Sequence, residues 1–553
     1  MWRVKGQQRV FFLFIMISCL FLCLIMRLTY VQIIKSYYYA EQAVKQRSQR
    51  IIINSGRGDI LDRKGVSLLD SRSEEILVIF PSHIRDIRGR KEVLSEKLPM
   101  VSGREQILNP PYETLPFIAA RGLSEEEAAL LASEPEMGLI VSSKVQRYGP
   151  ESLASHVVGH LHSSDFTRGE KGIEFFFNEE LQAQRPESII ALVDARDRLI
   201  AGLGYRYWQN TDRLRPYSVM LTIDRDIQKE VEEILDKHHF LGGSAVVMEP
   251  QTGNILAMAS RPDYDQNRIE DYLNDNEGGP FNNRSTMAYE PGSIFKIVVA
   301  AAALEQGIVN IFDKFQCNGS ITVGSHTIRC NMLHPSRELN LIEAFAYSCN
   351  SVFVELGLRL GAEVLYDYAK IFGFGEKTGI PLGEESGYIP QPEELYIAEN
   401  LAATSIGQFN VQVTPLQVAR LLSIVARGGK DISPRLVESL LSREGHRIKY
   451  FPVRSGSQLL KPSTVNQLIY LLDAVTDFGT GQVYFADFDT AGKTGTAQTG
   501  RYRDHKNIYN CWFAGFFPLD TRKAVVVVFV ESHSLISTAE IFREIAEAIA
   551  EFL

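Results

Sequence analysis

Three short stretches of this 553-residue chain carry the side chains of acyl-transfer chemistry. The first is Ser293-Ile294-Phe295-Lys296, which follows Pro291-Gly292 and opens an alanine-rich stretch. Positions i and i+3 share a helix face, so Lys296 lies one turn from Ser293. A serine hydroxyl is a weak nucleophile until a base takes its proton. A lysine held neutral by burial and by other cations is such a base. A serine at a helix N-terminus also has a free backbone N–H to offer an oxyanion. The competing reading is a serine that merely caps a core helix. The second stretch is Ser348-Cys349-Asn350. From one turn its hydroxyl can pass a proton and its amide can hold a substrate amide; a plain helix–helix turn is the alternative. Cys349 reads as a small buried filler. The third is Lys493-Thr494-Gly495-Thr496. On a strand, Lys493 and Gly495 point one way, Thr494 and Thr496 the other. The lysine supplies a fixed positive charge and the threonine hydroxyls donate to a carboxylate. Gly495 leaves room for a substrate strand against this edge. Each stretch alone is weak; their order along one chain carries the argument.

The elements that must hold these residues are legible from periodicity. Asp224 to His239 fits an amphipathic helix with Ile227, Val231 and Ile234 on one stripe. Residues 244–248 and 255–258, joined at Pro250 to Asn254, read as a β-hairpin. Residues 293–306 read as a buried helix closed by Gly307. Residues 512–517 and 524–530 are apolar enough for buried strands, and 539–552 for a final helix. Upstream, residues 31–55 read as a charged helical stalk, and 56–215 as short alternating stretches with many turns. Arg57-Gly58-Asp59 reads as a turn into a strand rather than an adhesion motif. Lys377-Thr378-Gly379 is a turn before Pro381 and lacks the spacing of a phosphate loop. His156 and His160, at i and i+4, with His162 close by, lack a nearby Cys or acid to complete a metal site and read as packed histidines. Cys317 and Cys330 bracket a hairpin over 321–328 that turns at Gly324-Ser325. They form either a disulfide, worth about 3 kcal/mol for a loop of this size, or two buried thiols.

Residues 10–26, VFFLFIMISCLFLCLIM, contain no charge and no proline. Extended by Leu28 to Ile34, with Arg9 and Arg27 snorkelling, the run is long enough to cross a bilayer. No face is polar, which argues against a core helix. No A-x-A pattern follows, which argues for an uncleaved anchor over a signal peptide. Arg3, Lys5 and Arg9 on one side against Arg27, Lys35 and Lys45 on the other only weakly favour an inside N-terminus. Cys19 and Cys23 lie in the run as lipid-facing or packing residues. With 45% hydrophobic and 23% charged residues the chain is neither disordered, collagen-like nor polytopic. A net charge of −9 gives no footing for a nucleic-acid partner. Six cysteines are too few for a disulfide scaffold.

Ser-x-x-Lys, Ser-x-Asn and Lys-Thr-Gly in that order are the motif set of the penicilloyl serine transferases. The chain resembles class B penicillin-binding proteins over nearly its full length. Tyr289-Glu290-Pro291-Gly292-Ser293-Ile294-Phe295-Lys296 resembles the family's nucleophile block, and Trp512-Phe513-Ala514-Gly515-Phe516 the strand after Lys-Thr-Gly. Arg57-Gly58-Asp59-Ile60-Leu61-Asp62-Arg63, Tyr148-Gly149-Pro150, His156-Val157-Val158-Gly159 and Gly169-Glu170-Lys171-Gly172-Ile173-Glu174 resemble its pedestal blocks.

The resemblance implies an α+β fold: a transpeptidase domain with a five-stranded antiparallel sheet flanked by helices, plus a helical subdomain. It implies a cytoplasmic tail over 1–9, an anchor over 10–34, a pedestal over 35–219 and the transpeptidase domain over 220–553. The implied reaction is D,D-transpeptidation of D-Ala-D-Ala stem peptides, blocked by β-lactams. In it Ser293 attacks, Lys296 accepts the proton, Ser348 relays one to the leaving amine and Asn350 positions substrate. Lys493 orients the network, Thr494 and Thr496 bind the terminal carboxylate on either side of Gly495, and the N–H groups of Ser293 and Thr496 form the oxyanion hole. No cofactor and no metal are implied. The implied partners are stem peptides, β-lactams, the bacterial cell membrane and a multi-pass membrane glycan polymerase, with the catalytic domain outside the cytoplasm. A carboxypeptidase, a β-lactam-hydrolysing enzyme, a β-lactam sensor and a scaffold are the rival readings.

Overall fold

A computed structural model describes residues 2–83, 115–133, 138–162, 166–183, 186–194, 196–200, 203–208, 216–275, 278–330, 337–503 and 505–553. The chain divides into two compact units. One comprises Met1–Gly56, Arg72–Gln146 and Arg185–Thr211; the other comprises Arg57–Ser71, Arg147–Gln184 and Asp212–Leu553.

In the first unit the apolar run lies in a helix, Trp2–Thr29, that continues through a π turn, Tyr30–Ile34, into Ser36–Gln46. Gln8–Ile34 is long and apolar enough to cross a membrane, and none of it is buried against protein. The expected helical stalk stops short of residue 55. Ser48–Asn54 is a strand, because the β-branched Ile51, Ile52 and Ile53 suit a pleated surface better than a helix. It pairs antiparallel with Glu187–Leu192, which also pairs with Tyr205–Trp208. A second sheet sets Arg72–Ile79 between Phe117–Arg121 and Leu139–Gln146.

The second unit is built on a five-stranded sheet, its strands numbered here in chain order: β1 Gly242–Met248, β2 Ile255–Arg261, β3 Ala491–Arg503, β4 Lys506–Phe517 and β5 Ala524–Ser532. The spatial order is β2-β1-β5-β4-β3 and every pairing is antiparallel. The central β5 is buried along its whole length, which explains why Val525 to Val530 is an unbroken apolar run rather than an alternating one. Its Val526 and Val528 face α1 (Arg225–Lys237) and the C-terminal helix (Thr538–Ile549), packing with Ile227, Val231, Ile541 and Ile545. Asp224 caps α1, its carboxylate accepting from the N–H of Asp226. Its Val525, Val527 and Phe529 face the larger helical layer: α2 Lys296–Glu305, α3 Leu341–Ala346, α4 Asn350–Leu360, α5 Pro415–Ala426 and α6 Pro462–Asp477. Full burial of each such aliphatic side chain contributes about 1.5–3 kcal/mol. Here α2 is buried from Lys296 to Leu304, and its alanines let neighbouring helices close around it.

Residues 57–71, 147–184 and 212–219 of the expected pedestal belong to this unit. Ile60–Leu61 lies parallel to Ser218–Leu221, which pairs with Val437–Leu441. Three of the family-like blocks meet on one carboxylate. Arg57 donates to Glu174 at 2.8 Å, Arg147 donates to its other oxygen, and the Tyr148 hydroxyl adds a bond at 3.2 Å. Glu174 and the Arg57 side chain are wholly buried. The Arg-Gly-Asp is therefore a packing element: a Cβ on Gly58 would stand 1.8 Å from the Tyr217 carbonyl oxygen.

Candidate active site

The serine block forms where the chain passes from Pro291 into a tight 3₁₀ turn, Gly292–Phe295, and then into α2. The expected single α-helix over 293–306 thus begins with a 3₁₀ turn, in which side chains three apart eclipse. Gly292 is required twice over. Its φ is +52°, and a Cβ there would lie 2.5 Å from the Thr496 carbonyl oxygen. That approach sets the backbone of the serine turn against β3. Ser293 is half-buried, while Lys296, facing inward, is fully buried.

The Lys296 amine donates to the Ser348 carbonyl at 2.7 Å, to the Ser348 hydroxyl at 3.2 Å and to the Asn350 Oδ1 at 2.7 Å. The two motifs therefore meet on one nitrogen. Asn340 caps α3 in a reciprocal capping box with Glu343. After α3 the chain turns at Ser348, whose φ of +55° is unusual for a side-chain-bearing residue. Asn350 then starts α4, and its Nδ2 donates to the Arg329 carbonyl at 2.8 Å. That bond leaves Asn350 Oδ1 facing the lysine.

β3 brings the third motif, as the alternation predicted. Lys493 is fully buried and its amine donates to the Thr494 carbonyl at 3.2 Å. The Thr494 hydroxyl shares a 2.8 Å bond with the Thr480 hydroxyl. Gly495 has a different reason from the expected one. Its missing side chain makes way for the serine turn, since a Cβ would lie 2.8 Å from Ile294 Cγ1 and 2.9 Å from the Pro291 carbonyl oxygen. Thr496 is half-buried on the opposite face of the strand. β3 is the sheet's edge, paired with β4 on one side only among the described residues. An edge strand offers backbone donors and acceptors to an extended peptide.

Electrostatics favour a neutral amine at this centre. Burial lowers the Lys296 pKa to about 7, partly opposed by the neighbouring Cys349 and Cys330. Burial, and then the charge of Lys296, hold Lys493 well below its ordinary value. Among the described residues neither lysine has a carboxylate partner. A half-buried hydroxyl, an unpaired amine, a second hydroxyl, an amide and an open strand edge together can transfer an acyl group through a serine ester.

Other residues support the turn: Glu290 and Trp512, which the sequence placed only in family-like blocks, and Asn510, which it did not single out. The Trp512 indole donates to the Glu290 carbonyl at 3.0 Å, and Asn510 donates to the Glu290 carboxylate at 2.8 Å. Their signal was the adjacency of Glu290 to Pro291-Gly292 and of Asn510 to the expected strand. The hairpin of Ser320–Val323 and His326–Arg329 brings Cys317 and Cys330 together, their sulfurs 3.7 Å apart and unbonded. Cys349 is a third member at 3.8 Å from Cys330, which its reading as a filler overlooked. Its hydrogen bond with Cys330, and then burial, push its thiol pKa up. His156 is packed: burial lowers its pKa to about 4, and its Nε2–H donates to the Pro280 carbonyl at 2.7 Å. The second Lys-Thr-Gly is a turn in which Glu384 accepts from the N–H groups of Thr378 and Gly379 and from the Thr378 hydroxyl.

Comparison with known proteins identifies the family. Residues 243–547 match the penicillin binding protein transpeptidase domain, and residues 52–204 match the penicillin-binding protein dimerisation domain. Stage V sporulation protein D of Bacillus subtilis is 31% identical over 96% of this chain and 82% of its own length. The probable peptidoglycan D,D-transpeptidase PenA of Neisseria gonorrhoeae is 26% identical over 96% of this chain and 89% of its own. The crystal structure of the D,D-transpeptidase domain of a peptidoglycan glycosyltransferase from Eggerthella lenta shares the fold, with a TM-score of 0.64, 24% identity and coverage of 90% of this chain and 99% of that one. The chain belongs to the class B penicillin-binding proteins and is a serine-type peptidoglycan D,D-transpeptidase.

Proposed function

We propose that Ser293 is the residue acylated by the stem peptide, with Lys296 as its base. The observation that carries this is the Lys296 amine: buried, without a carboxylate partner among the described residues, and held by Ser348 and Asn350. A neutral amine takes the Ser293 proton as the hydroxyl attacks the D-Ala-D-Ala carbonyl. Ser348 passes a proton to the departing D-Ala amine, and Asn350 positions the donor amide. Lys493 biases the network electrostatically. Thr494 and Thr496, flanking Gly495, bind the terminal carboxylate, and the N–H groups of Ser293 and Thr496 stabilise the oxyanion. An acceptor amine from a second stem then resolves the ester.

In this reading residues 1–9 are cytoplasmic, 10–34 anchor the chain, 35–219 form the pedestal domain and 220–553 the catalytic domain, outside the cytoplasm. The substrate's location sets that orientation. In the same reading a multi-pass membrane glycan polymerase is the partner that supplies the strands. The test is covalent labelling of the full chain in membranes by a fluorescent penicillin. Wild type is expected to label and Ser293→Ala to lose all label while Ser348→Ala still labels slowly. Undiminished labelling of Ser293→Ala would overturn the assignment.

A further inference from the structure

Beside the site described above stands a group of side chains that acyl transfer does not use. Cys317, Cys330 and Cys349 come from three elements: the chain before the hairpin, the chain after it, and the residue that precedes α4. Cys317 and Cys349 are buried and Cys330 is half-buried. The Cys317–Cys330 and Cys330–Cys349 sulfur separations are 3.7 and 3.8 Å, and all three sulfurs lie within 4.8 Å of one another. A single disulfide would use two of them and strand the third. A thiophilic cation uses all three.

We propose that Cys317, Cys330 and Cys349 form a three-thiolate binding site for a zinc ion. Zinc–sulfur bonds of about 2.3 Å in a tetrahedron place the sulfurs about 3.8 Å apart, the spacing already present between two pairs here. A backbone donor already points at one of the sulfurs. The Gly319 N–H donates to Cys317 Sγ at 3.3 Å. Backbone donors of this kind orient and stabilise thiolate ligands. The Ser351 hydroxyl, 3.4 Å from Cys330 Sγ, is placed to serve a fourth ligand or to hold a bound water. Binding is balanced as three thiols losing three protons to solvent as three zinc–sulfur bonds form, with no change of oxidation state. The ion would tie the hairpin to the start of α4. Asn350 already spans that gap through its bond to the Arg329 carbonyl. The zinc site is thus a clip that fixes the strand and helix between which Asn350 is held.

The experiment uses the full chain in detergent, reduced, stripped of metal and dialysed against zinc chloride. Elemental analysis is expected to find about one more zinc per chain in wild type than in Cys317→Ser. Zinc is also expected to protect three thiols of wild type from alkylation, and to raise its unfolding temperature but not that of the variant. Cobalt in place of zinc should give a thiolate-to-cobalt charge-transfer band that Cys317→Ser lacks. Cys317→Ser touches neither lysine, so its retained penicillin labelling shows that it is folded. Equal zinc content in wild type and Cys317→Ser, or alkylation of all three thiols despite zinc, would overturn the proposal. So would a disulfide within the trio that forms as readily with zinc bound as without; the alkylation arm needs no variant.

Discussion

A lysine works as a base only if its surroundings remove its proton at ambient pH, and Lys296 has those surroundings. Two acceptor oxygens at 2.7 Å hold the amine in place, and burial lowers its pKa to about 7. The sign follows directly: the basic form is scarce below that value and dominant above it. The rate of acylation by benzylpenicillin is therefore expected to rise with pH and level off, with a midpoint near 7 rather than near the ordinary lysine value. A rate profile from pH 5 to 9, measured by stopped-flow competition with a fluorescent β-lactam, checks this. A flat profile over that range would remove Lys296 from the role of base. The residue types and spacing of Ser293, Lys296, Ser348, Asn350 and Lys493 were legible in the sequence because each motif is local. The convergence of Ser348 and Asn350 on the Lys296 amine was not, since it depends on how α2 and the turn after α3 pack. Cys349 is buried as expected, but its nearness to Cys317 and Cys330 was hidden for the same reason, since they lie across a hairpin.

The elements carrying these residues followed from pattern wherever pattern is strong. The amphipathic α1 and the unbroken apolar β5 came through within a few residues. The strand at Ser48–Asn54 did not, because its flanking charges resembled a solvated helix while three successive isoleucines decided for a sheet. Reasons can also differ where positions agree, as at Gly495. The close approach of the serine turn to β3 makes a specific demand. Gly292→Ala would place a methyl 2.5 Å from the Thr496 carbonyl oxygen at a φ of +52°. Left-handed strain of about 1–2 kcal/mol adds to that overlap. Penicillin acylation is expected to fall at least about tenfold, the rate equivalent of ~1.4 kcal/mol, with the circular dichroism spectrum unchanged. Wild-type acylation by this variant would show that the turn and β3 adjust independently.

At the scale of the whole chain, the buried Glu174 is the most sensitive single point. Arg57 and Arg147 both depend on it for compensation, and Arg57 is wholly buried. Removing one partner of such a cluster leaves buried charge unpaired and costs about 3–5 kcal/mol. Glu174→Ala is expected to destabilise the unit it belongs to by that amount, read from chemical denaturation followed by Trp512 fluorescence. A change under ~1 kcal/mol would mean that the arginines find solvent or other acceptors. The sequence showed these blocks as separate motifs, and only the fold joins them. That joining has a consequence for biosynthesis. Residues 57–71 are synthesised early, yet Ile60–Leu61 finds its sheet only when 218–221 and 437–441 exist. β1 finds its β5 partner only when 524–532 exists. The N-terminal pieces of this unit therefore wait, unpaired, while the rest of the chain is made. The third motif lies on β3, Ala491–Arg503, so the site is completed as one of the last events of synthesis, and a chain halted before that strand is inert toward penicillin.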